Sequence, residues 1–314
     1  MRLIREKDVE LLCNDWDELV SAIKEAIFIK EIGEYSQPLK PYLRCSDPTN
    51  RIIAMPSWVG GDINKAGIKW IASFPKNITK GLPRANSITI LNDIETGIPC
   101  AIVLGAAISS FRTAAVSLYV LKQYMESWRE KKINVGIIGF GPIGVTHYRA
   151  ISSLSYRVGS IKVHDIKSSK LAELEPNNRE TSLKRLLANS DVVITCTPSK
   201  SPYIYEKPKK GSLHLNVSLR DYSLESLKHF DKHIVDDWME VCREGTNIEN
   251  MHQAGQLAPE QVSVLSIVNS CLNMKNGKTV MFSPMGMSIF DIAIANYVLK
   301  KAEESNIGVC LDEL

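Results

Sequence analysis

The chain is short of several features, and each shortage removes a class of function. No apolar run reaches the roughly 18 to 20 residues that a membrane-spanning helix needs, so no such span is expected. The opening stretch MRLIREKDVELL has no apolar h-region and no small-residue cleavage site, so no signal peptide is expected. A formal charge of +3 over 314 residues gives no reason to expect nucleic acid or an anionic membrane as a partner. The seven cysteines, Cys13, Cys45, Cys100, Cys196, Cys242, Cys271 and Cys310, form no CxxC pair and no histidine spacing suited to zinc, so no metal site is expected. Their number is odd and several lie in apolar strand contexts. They read as reduced, mostly buried thiols of a cytoplasmic protein. There is no internal repeat and no low-complexity tract.

What is present is an apolar content of 44%, ample for a core, and a length suited to two domains or one large one. The organising stretch is Ile133 to Asp165. The apolar run Val135–Ile138 predicts a buried parallel strand, ending in Gly139-Phe140-Gly141-Pro142-Ile143-Gly144. A helix is predicted from Val145 to about Leu154, then a strand over Ile161–His164 that ends at Asp165. This is a βαβ unit with a glycine-rich first turn. Gly139 permits the tight turn, Gly141 lets a pyrophosphate approach the backbone, and Gly144 lets helix and strand pack closely. The helix N-terminus offers free N–H groups and the positive end of its dipole to the phosphates. Pro142 offers no N–H but is tolerated at a helix start. Asp165 lies 21 residues past Gly144, where a carboxylate accepts the ribose hydroxyls and repels a 2′-phosphate. The expected cofactor is therefore NAD rather than NADP.

Before this unit, Met1–Leu12 suggests a short strand or turn. Asp15–Ile32 is an amphipathic helix with Trp16, Leu19, Val20, Ile23, Ile27 and Phe28 at helical spacing and Gly33 as its stop. Gln37–Arg44 is extended and broken by prolines. Arg51–Pro56 and Ala66–Ala72 are strands, and Ser87–Leu91 with Cys100–Leu104 is a hairpin. The first hundred residues thus read as one helix plus antiparallel strands. Ser109 or Ser110 is the candidate cap of a helix from Phe111 to Trp128.

Beyond Asp165, a compact polar crossover over 166–180 is followed by a helix near Leu183–Ala188. Strands are predicted at Asp191–Thr197, Leu213–Val217 and His233–Asp236, with Thr279–Phe282 the last. A helix over Asp291–Ala302 and an extended arm over Asn306–Leu314 close the chain. The expected fold class is α/β, a Rossmann-type doubly wound parallel sheet over 115–287 plus a second α+β domain over 1–114, completed by 288–314.

Ligands of such sheets sit outside the carboxyl ends of the strands. Thr195, Cys196, Thr197, Val217 and Ser218 lie at such ends and are candidate cofactor contacts, with Gly139, Gly141, Pro142, Ile143, Gly144 and Asp165. Asp221 lies in the same loop as Ser218, as an acid/base candidate or, equally, a solvated loop residue or helix cap. In the first domain, cations interrupt apolar contexts. Arg44 ends a proline-braced segment, Lys69 stands between Ile68 and Trp70, and Arg112 lies in the first turn of a helix, where a cation opposes the dipole. Each alone is readily an exposed charge or an ion pair. Together they suggest a pocket for a carboxylate-bearing substrate. His147 and His164, on a helix and in a strand, read as structural.

These residues resemble the ornithine cyclodeaminase/mu-crystallin family over nearly the full chain. The marks are Arg44, Gly67-Ile68-Lys69, Leu91-Asn92-Asp93 with Thr96-Gly97, Arg112-Thr113-Ala114-Ala115, the glycine-rich turn, and Met285-Gly286-Met287 to Asp291. Gln37–Arg44, Arg51–Ser57, Val235–Trp238 and Pro284–Met287 are similar to members that release 2,3-diaminopropionate for siderophore and antibiotic synthesis. The resemblance implies a homodimer built through the first domain and NAD-dependent oxidation at an amino-acid Cα. By motif position, Arg44, Lys69 and Arg112 would hold substrate carboxylate and Asp221 would be the acid/base, with Lys69 a second proton acceptor. The implied reaction cleaves N-(2-amino-2-carboxyethyl)-L-glutamate to 2,3-diaminopropionate and 2-oxoglutarate with NADH formed.

Two alternatives stand beside it: ornithine cyclisation to proline with loss of ammonia, and a mu-crystallin-like protein that binds nucleotide and small ligand without turnover. Asp221-Tyr222-Ser223-Leu224-Glu225 replaces the Asp-x-x-Gly-Lys segment of ornithine cyclodeaminases, Arg84 adds a cation after Gly-Leu-Pro, and Phe290-Asp291 stands where many members have Glu-Asp. The first two point away from ornithine. Arg84 with Arg44, Lys69 and Arg112 would balance a substrate of three carboxylates.

Overall fold

Alternating inward and outward residues over 51–104 build a meander, and uninterrupted apolar runs between 133 and 283 build a parallel sheet. The computed structural model describes residues 1–126, 132–267 and 277–311. They fall into two compact units, Met1–Ala115 with Met287–Leu314, and Val116–Gly286.

The chain begins with β1 (Arg2–Ile4), α1 (Glu6–Leu12), α2 (Trp16–Glu31), β2 (Tyr35–Ser36) and β3 (Tyr42–Arg44). It continues with β4 (Arg51–Val59), β5 (Lys65–Ser73), β6 (Ala85–Asn92), β7 (Pro99–Leu104) and α3 (Ala107–Glu126). The middle holds β8 (Ile133–Ile138), α4 (Pro142–Ser152), β9 (Val158–His164), α5 (Leu183–Asn189), β10 (Val192–Thr195), β11 (Leu213–Asn216) and α6 (Leu224–Leu227). Then come β12 (Lys232–Val235), α7 (Trp238–Val241), α8 (Asn247–Gln253), β13 (Val262–Val264) and β14 (Val280–Ser283). The chain closes with α9 (Ser288–Glu304) and β15 (Val309–Cys310).

In the first unit the sheet order is β15-β1-β7-β6-β5-β4-β2, with β3 also on β4. The expectation of a purely antiparallel set with one helix needs correcting: β1 runs parallel to β7, and α1 is a second helix inside the stretch read as strand or turn. α2 is capped by Asp15, whose Oδ1 accepts from Asp17 N (2.9 Å) and Glu18 N (3.1 Å). Leu19, Val20, Ile23 and Ile27 are buried, while Phe28, at the rim of the same stripe, is 44% exposed. Gly33 ends the helix at φ +79°.

α3 starts at Ala107, so Ser109 and Ser110 lie inside it and do not cap it. Its first N–H groups are taken by Glu6, whose Oε1 accepts from Ala106 N (2.8 Å) and Ala107 N (3.1 Å). Arg112 therefore sits in the second turn, where the dipole argument no longer applies. The expected end at Trp128 lies outside the described residues, as do Cys271 and the last three positions. α9 packs on β4, β5 and α2 and is buried along most of its length. The opposite face of the sheet keeps apolar side chains half-exposed, among them Pro56, Ile68, Ile88 and Ile90, and Trp70 is 37% exposed.

In the second unit seven parallel strands lie in the order β13-β12-β14-β11-β10-β8-β9. Val192, Val193, Ile194, Leu213 and Leu215 are fully buried, as strands covered on both faces must be. The polar crossover after β9 holds only two short 3-10 turns, Ser168–Leu171 and Pro176–Asn178. β10 then pairs with β8 rather than extending beyond β9, which places the topological switch point between β8 and β10. β13 was not expected, and β14, expected last, lies between β11 and β12. The six described cysteines are unbridged, but only Cys13 is buried and Cys45 and Cys310 are exposed, which corrects the expectation of mostly buried thiols. Among the described residues no helix is long and apolar enough to cross a membrane.

Candidate active site

In the second unit the carboxyl ends of the parallel strands bring the predicted cofactor residues to one edge. Gly139 follows β8 at φ +92°, and a Cβ there would lie 2.7 Å from the Cys196 carbonyl oxygen. A Cβ on Gly144 would lie 2.0 Å from the Gly139 oxygen, so the turn closes only with glycine at both places. Gly141 is different: a Cβ would meet nothing within 4 Å. Its backbone faces open space at the N-cap of α4, where no side chain caps the helix. Pro142 is the first helical residue and has no N–H to spare, so the free donors belong to Ile143 and Gly144. The residues fit a pyrophosphate cradle.

Asp165 follows β9 and braces the same turn. Its Oδ2 accepts from Phe140 N (2.8 Å), its Oδ1 from Lys167 N (2.8 Å), and Lys170 Nζ is 3.4 Å away. Burial pushes its pKa up, but these donors and the lysine charge outweigh that and hold it low. It is an anion at neutral pH, as ribose recognition requires.

Asp221 lies in the turn after β11 and is fully buried. It is not a helix cap, since Ser223 caps α6. Its Oδ1 accepts from Thr197 Oγ1 (2.7 Å) and its Oδ2 from Ser218 Oγ. Burial raises its pKa above the usual carboxylate range, against the pull of these hydroxyls. Thr197 in turn packs against Gly139, so the carboxyl stands one residue from the glycine-rich turn. Ser218 N donates to Thr195 O (3.1 Å), Val217 N donates to Leu215 O (3.0 Å), and Cys196 N donates to Ile138 O (2.7 Å).

The turn itself is strained: Leu219 has φ +69°. It is pinned by Asn216 Oδ1, which accepts from Leu219 N (3.2 Å), and by Asn247, whose N donates to Leu219 O (2.7 Å) and whose Nδ2 donates to Tyr222 O (2.7 Å). Asn216 and Asn247 escaped the sequence reading, since their sequence separation carries no motif. His147 is buried, with Nδ1 on Ile143 O (2.7 Å) and Nε2 on Ser117 Oγ (2.9 Å), and burial pushes it down to about 4. His164 Nδ1 lies 2.9 Å from Glu180 O.

In the first unit, Lys69 on β5 is 1% exposed and Arg112 on α3 has 13% of its side chain exposed. They meet at Asp291 on α9, which sequence reading left without a role: Lys69 Nζ lies 2.8 Å and Arg112 Nε 3.0 Å from its Oδ1. Lys40, buried in the segment before β3, adds its positive field to both Lys69 and Asp291. Burial, with the positive fields of Arg112 and Lys40, lowers the Lys69 pKa to about 7, against the pull of Asp291. Burial raises the Asp291 pKa, but Lys69 and Arg112 override it and hold it low. Among the described residues Asp291 pairs with Lys69 and Arg112 but with neither Arg44 nor Arg84. Arg44 is exposed on β3, its guanidinium 5.6 Å from the Tyr42 ring centroid. Arg84 is half-buried just before β6, its carbonyl accepting from Phe74 N (2.8 Å).

The chain is 33% identical to N-((2S)-2-amino-2-carboxyethyl)-L-glutamate dehydrogenase of Staphylococcus aureus, over 99% of this chain and 98% of that one. An archaeal alanine dehydrogenase dimer with bound NAD superposes with a TM-score of 0.83 at 25% identity, over 100% of this chain and 99% of that one. The Delta(1)-pyrroline-2-carboxylate reductase of Thermococcus litoralis, in complex with NADH and L-proline, superposes with a TM-score of 0.85 at 23% identity, over 99% of this chain and all of the other. The sequence matches the family over residues 2–306, and the chain belongs to the ornithine cyclodeaminase/mu-crystallin family.

Proposed function

We propose that this protein is an NAD-dependent dehydrogenase acting on a C–N bond of an amino acid, with N-((2S)-2-amino-2-carboxyethyl)-L-glutamate as its substrate. The carrying observation is the buried Asp221 carboxyl beside the glycine-rich turn, which supports a role for it as proton carrier next to a dinucleotide. The full-length likeness to the staphylococcal enzyme supports the substrate, and the Lys69–Arg112 pair supports one with carboxylates.

Bound NAD would supply the hydride acceptor. Gly141 and the Ile143 and Gly144 N–H groups would hold its pyrophosphate, and Asp165 its adenosine ribose. Arg112, with Lys69 behind it, would bind substrate carboxylate, and Arg44 and Arg84 are assigned to the remaining ones. Asp221, or Lys69 in its neutral form, accepts the secondary-amine proton as the glutamate-side Cα loses hydride, leaving a C=N bond. Water adds to that carbon, the C–N bond breaks, and Asp221 returns a proton to the departing amine. Substrate, water and NAD⁺ thus give 2-oxoglutarate, 2,3-diaminopropionate, NADH and one proton.

The half-exposed apolar face of the first unit's sheet supports a homodimer formed through it. The unbridged cysteines suit a cytoplasmic setting, and the diamino acid suits siderophore or antibiotic assembly.

The test is NADH absorbance with NAD⁺ and this substrate, beside an L-ornithine control. NADH with stoichiometric 2-oxoglutarate from the first alone is the expected result. Proline and ammonia from ornithine, with no net NADH, would transfer the assignment to the cyclodeaminase. Bound NAD with silence in both would leave a nucleotide-binding protein without turnover.

A further inference from the structure

The proposed reaction gives no task to Asp291, yet this carboxylate is the centre of the first unit's charge cluster. It is fully buried, so it cannot meet substrate as it stands. Both of its cationic contacts fall on one oxygen: Lys69 Nζ at 2.8 Å and Arg112 Nε at 3.0 Å from Oδ1. Oδ2 is equally buried and accepts no hydrogen bond. A carboxylate there is costly unless its partners are charged and close.

The geometry also divides the labour among the cations. Arg112 spends Nε on Asp291, which leaves its two terminal nitrogens as a fork for a ligand carboxylate, and it alone of the pair has appreciable exposure. Lys69 lies behind it in the middle of β5, opposite Met55 on β4 and Thr89 on β6. Those neighbours bring no charge. The charged groups that face Lys69 come from other elements: Asp291 of α9, Arg112 of α3 and Lys40 of the segment before β3. Two of the three are positive. Among the described residues, Asp291 is the negative charge set between them.

We propose that Asp291 is a positioning residue that keeps Lys69 cationic and in place behind Arg112, so that the two form a fixed positive site for the substrate's carboxylate. This rests on the functional reading above in the form where Asp221 takes the amine proton and Lys69 stays charged. Asp291 acts through Lys69 and touches neither substrate nor cofactor. Its loss is felt in substrate binding and in pH dependence, not in NAD binding.

The experiment compares the full-length protein with Asp291→Asn and Asp291→Glu, measuring kcat, KM for the amino-acid substrate and NAD affinity from pH 6 to pH 9. Lys69 titrates near 7 because burial lowers it and Asp291 supports it. Removing the supporting charge lowers it further, so the cation is lost earlier as pH rises. Asp291→Asn is therefore expected to raise KM about tenfold or more at neutral pH and to move the alkaline fall of kcat/KM to lower pH. Asp291→Glu should restore much of both, and NAD affinity should stay unchanged. A folded Asn variant with unaltered KM and pH profile overturns the proposal, as does a loss confined to kcat.

Should Asp291→Asn not fold, the Lys69→Gln/Asp291→Asn pair removes one charge of each sign. Its KM is expected within about threefold of Lys69→Gln alone, and a value about tenfold higher overturns the proposal. Should the unsubstituted protein form no NADH, the functional reading fails separately. The same pH shift is then read from L-glutamate binding by calorimetry, and its absence, including absence of any binding, overturns the inference.

Discussion

Asp221 is held buried at a cost to stability, which suits the acid/base role proposed for it. Burial raises its folded pKa above the unfolded value, so the folded state binds the proton more tightly. Its contribution therefore declines as pH rises from the unfolded pKa through the raised folded one. Asp221→Asn carries no such penalty and still accepts a hydroxyl hydrogen bond. Its melting temperature at pH 7 is expected to equal or exceed that of the unsubstituted protein, while kcat falls by about 10² to 10⁴. Circular dichroism melting and NADH formation check the two halves. A variant that melts several degrees lower yet turns over at near-full rate would remove Asp221 from the mechanism.

At the scale of elements, two helix starts carry separate burdens. α4 starts against the glycine-rich turn, and its three glycines differ in what they prevent. Gly144→Ala places a carbon 2.0 Å from the Gly139 oxygen, so the turn must open and both melting temperature and NAD affinity should drop. Gly141→Ala meets no protein atom within 4 Å. It should leave melting unchanged and weaken NAD about tenfold or more, because the methyl group would fill the space proposed for the pyrophosphate. Calorimetric NAD titration separates them, and full affinity in Gly141→Ala would move the pyrophosphate elsewhere. α3 starts on a carboxylate from a distant part of the chain. Glu6→Ala strips the acceptor from Ala106 N and Ala107 N and is expected to cost about 0.5 to 2 kcal/mol in urea unfolding, with NAD affinity intact. Unfolding midpoints that coincide would show that water serves those groups equally well.

For the molecule as a whole, the first unit's sheet has one face under α9 and one face of half-exposed apolar residues. The second copy proposed to cover it is expected in light scattering as a dimer mass. Ile68→Glu with Ile90→Glu places two carboxylates on adjacent strands of that face and should yield a monomer, because like charges would be desolvated without partners. A dimer that survives both substitutions would have to use another surface.

Local chemistry determined much of this protein from the sequence alone. The glycine-rich turn with its flanking strands, helix and terminal Asp165 was legible because its close backbone approaches and positive φ are set within a few consecutive residues. Lys69, Arg112 and Asp221 stood out because charge in an apolar context is itself a signal. The tertiary structure decided what those groups meet. Asp291 lies 222 positions beyond Lys69, and Glu6 lies a hundred before the helix it caps; no short-range pattern records either pairing. The same applies to Asn216 and Asn247 holding the strained turn before Asp221, and to β10 pairing with β8 rather than with β9. Strand order and buried ion pairs follow from how whole surfaces pack, and a residue's partner across the fold leaves no mark on its neighbours in the chain.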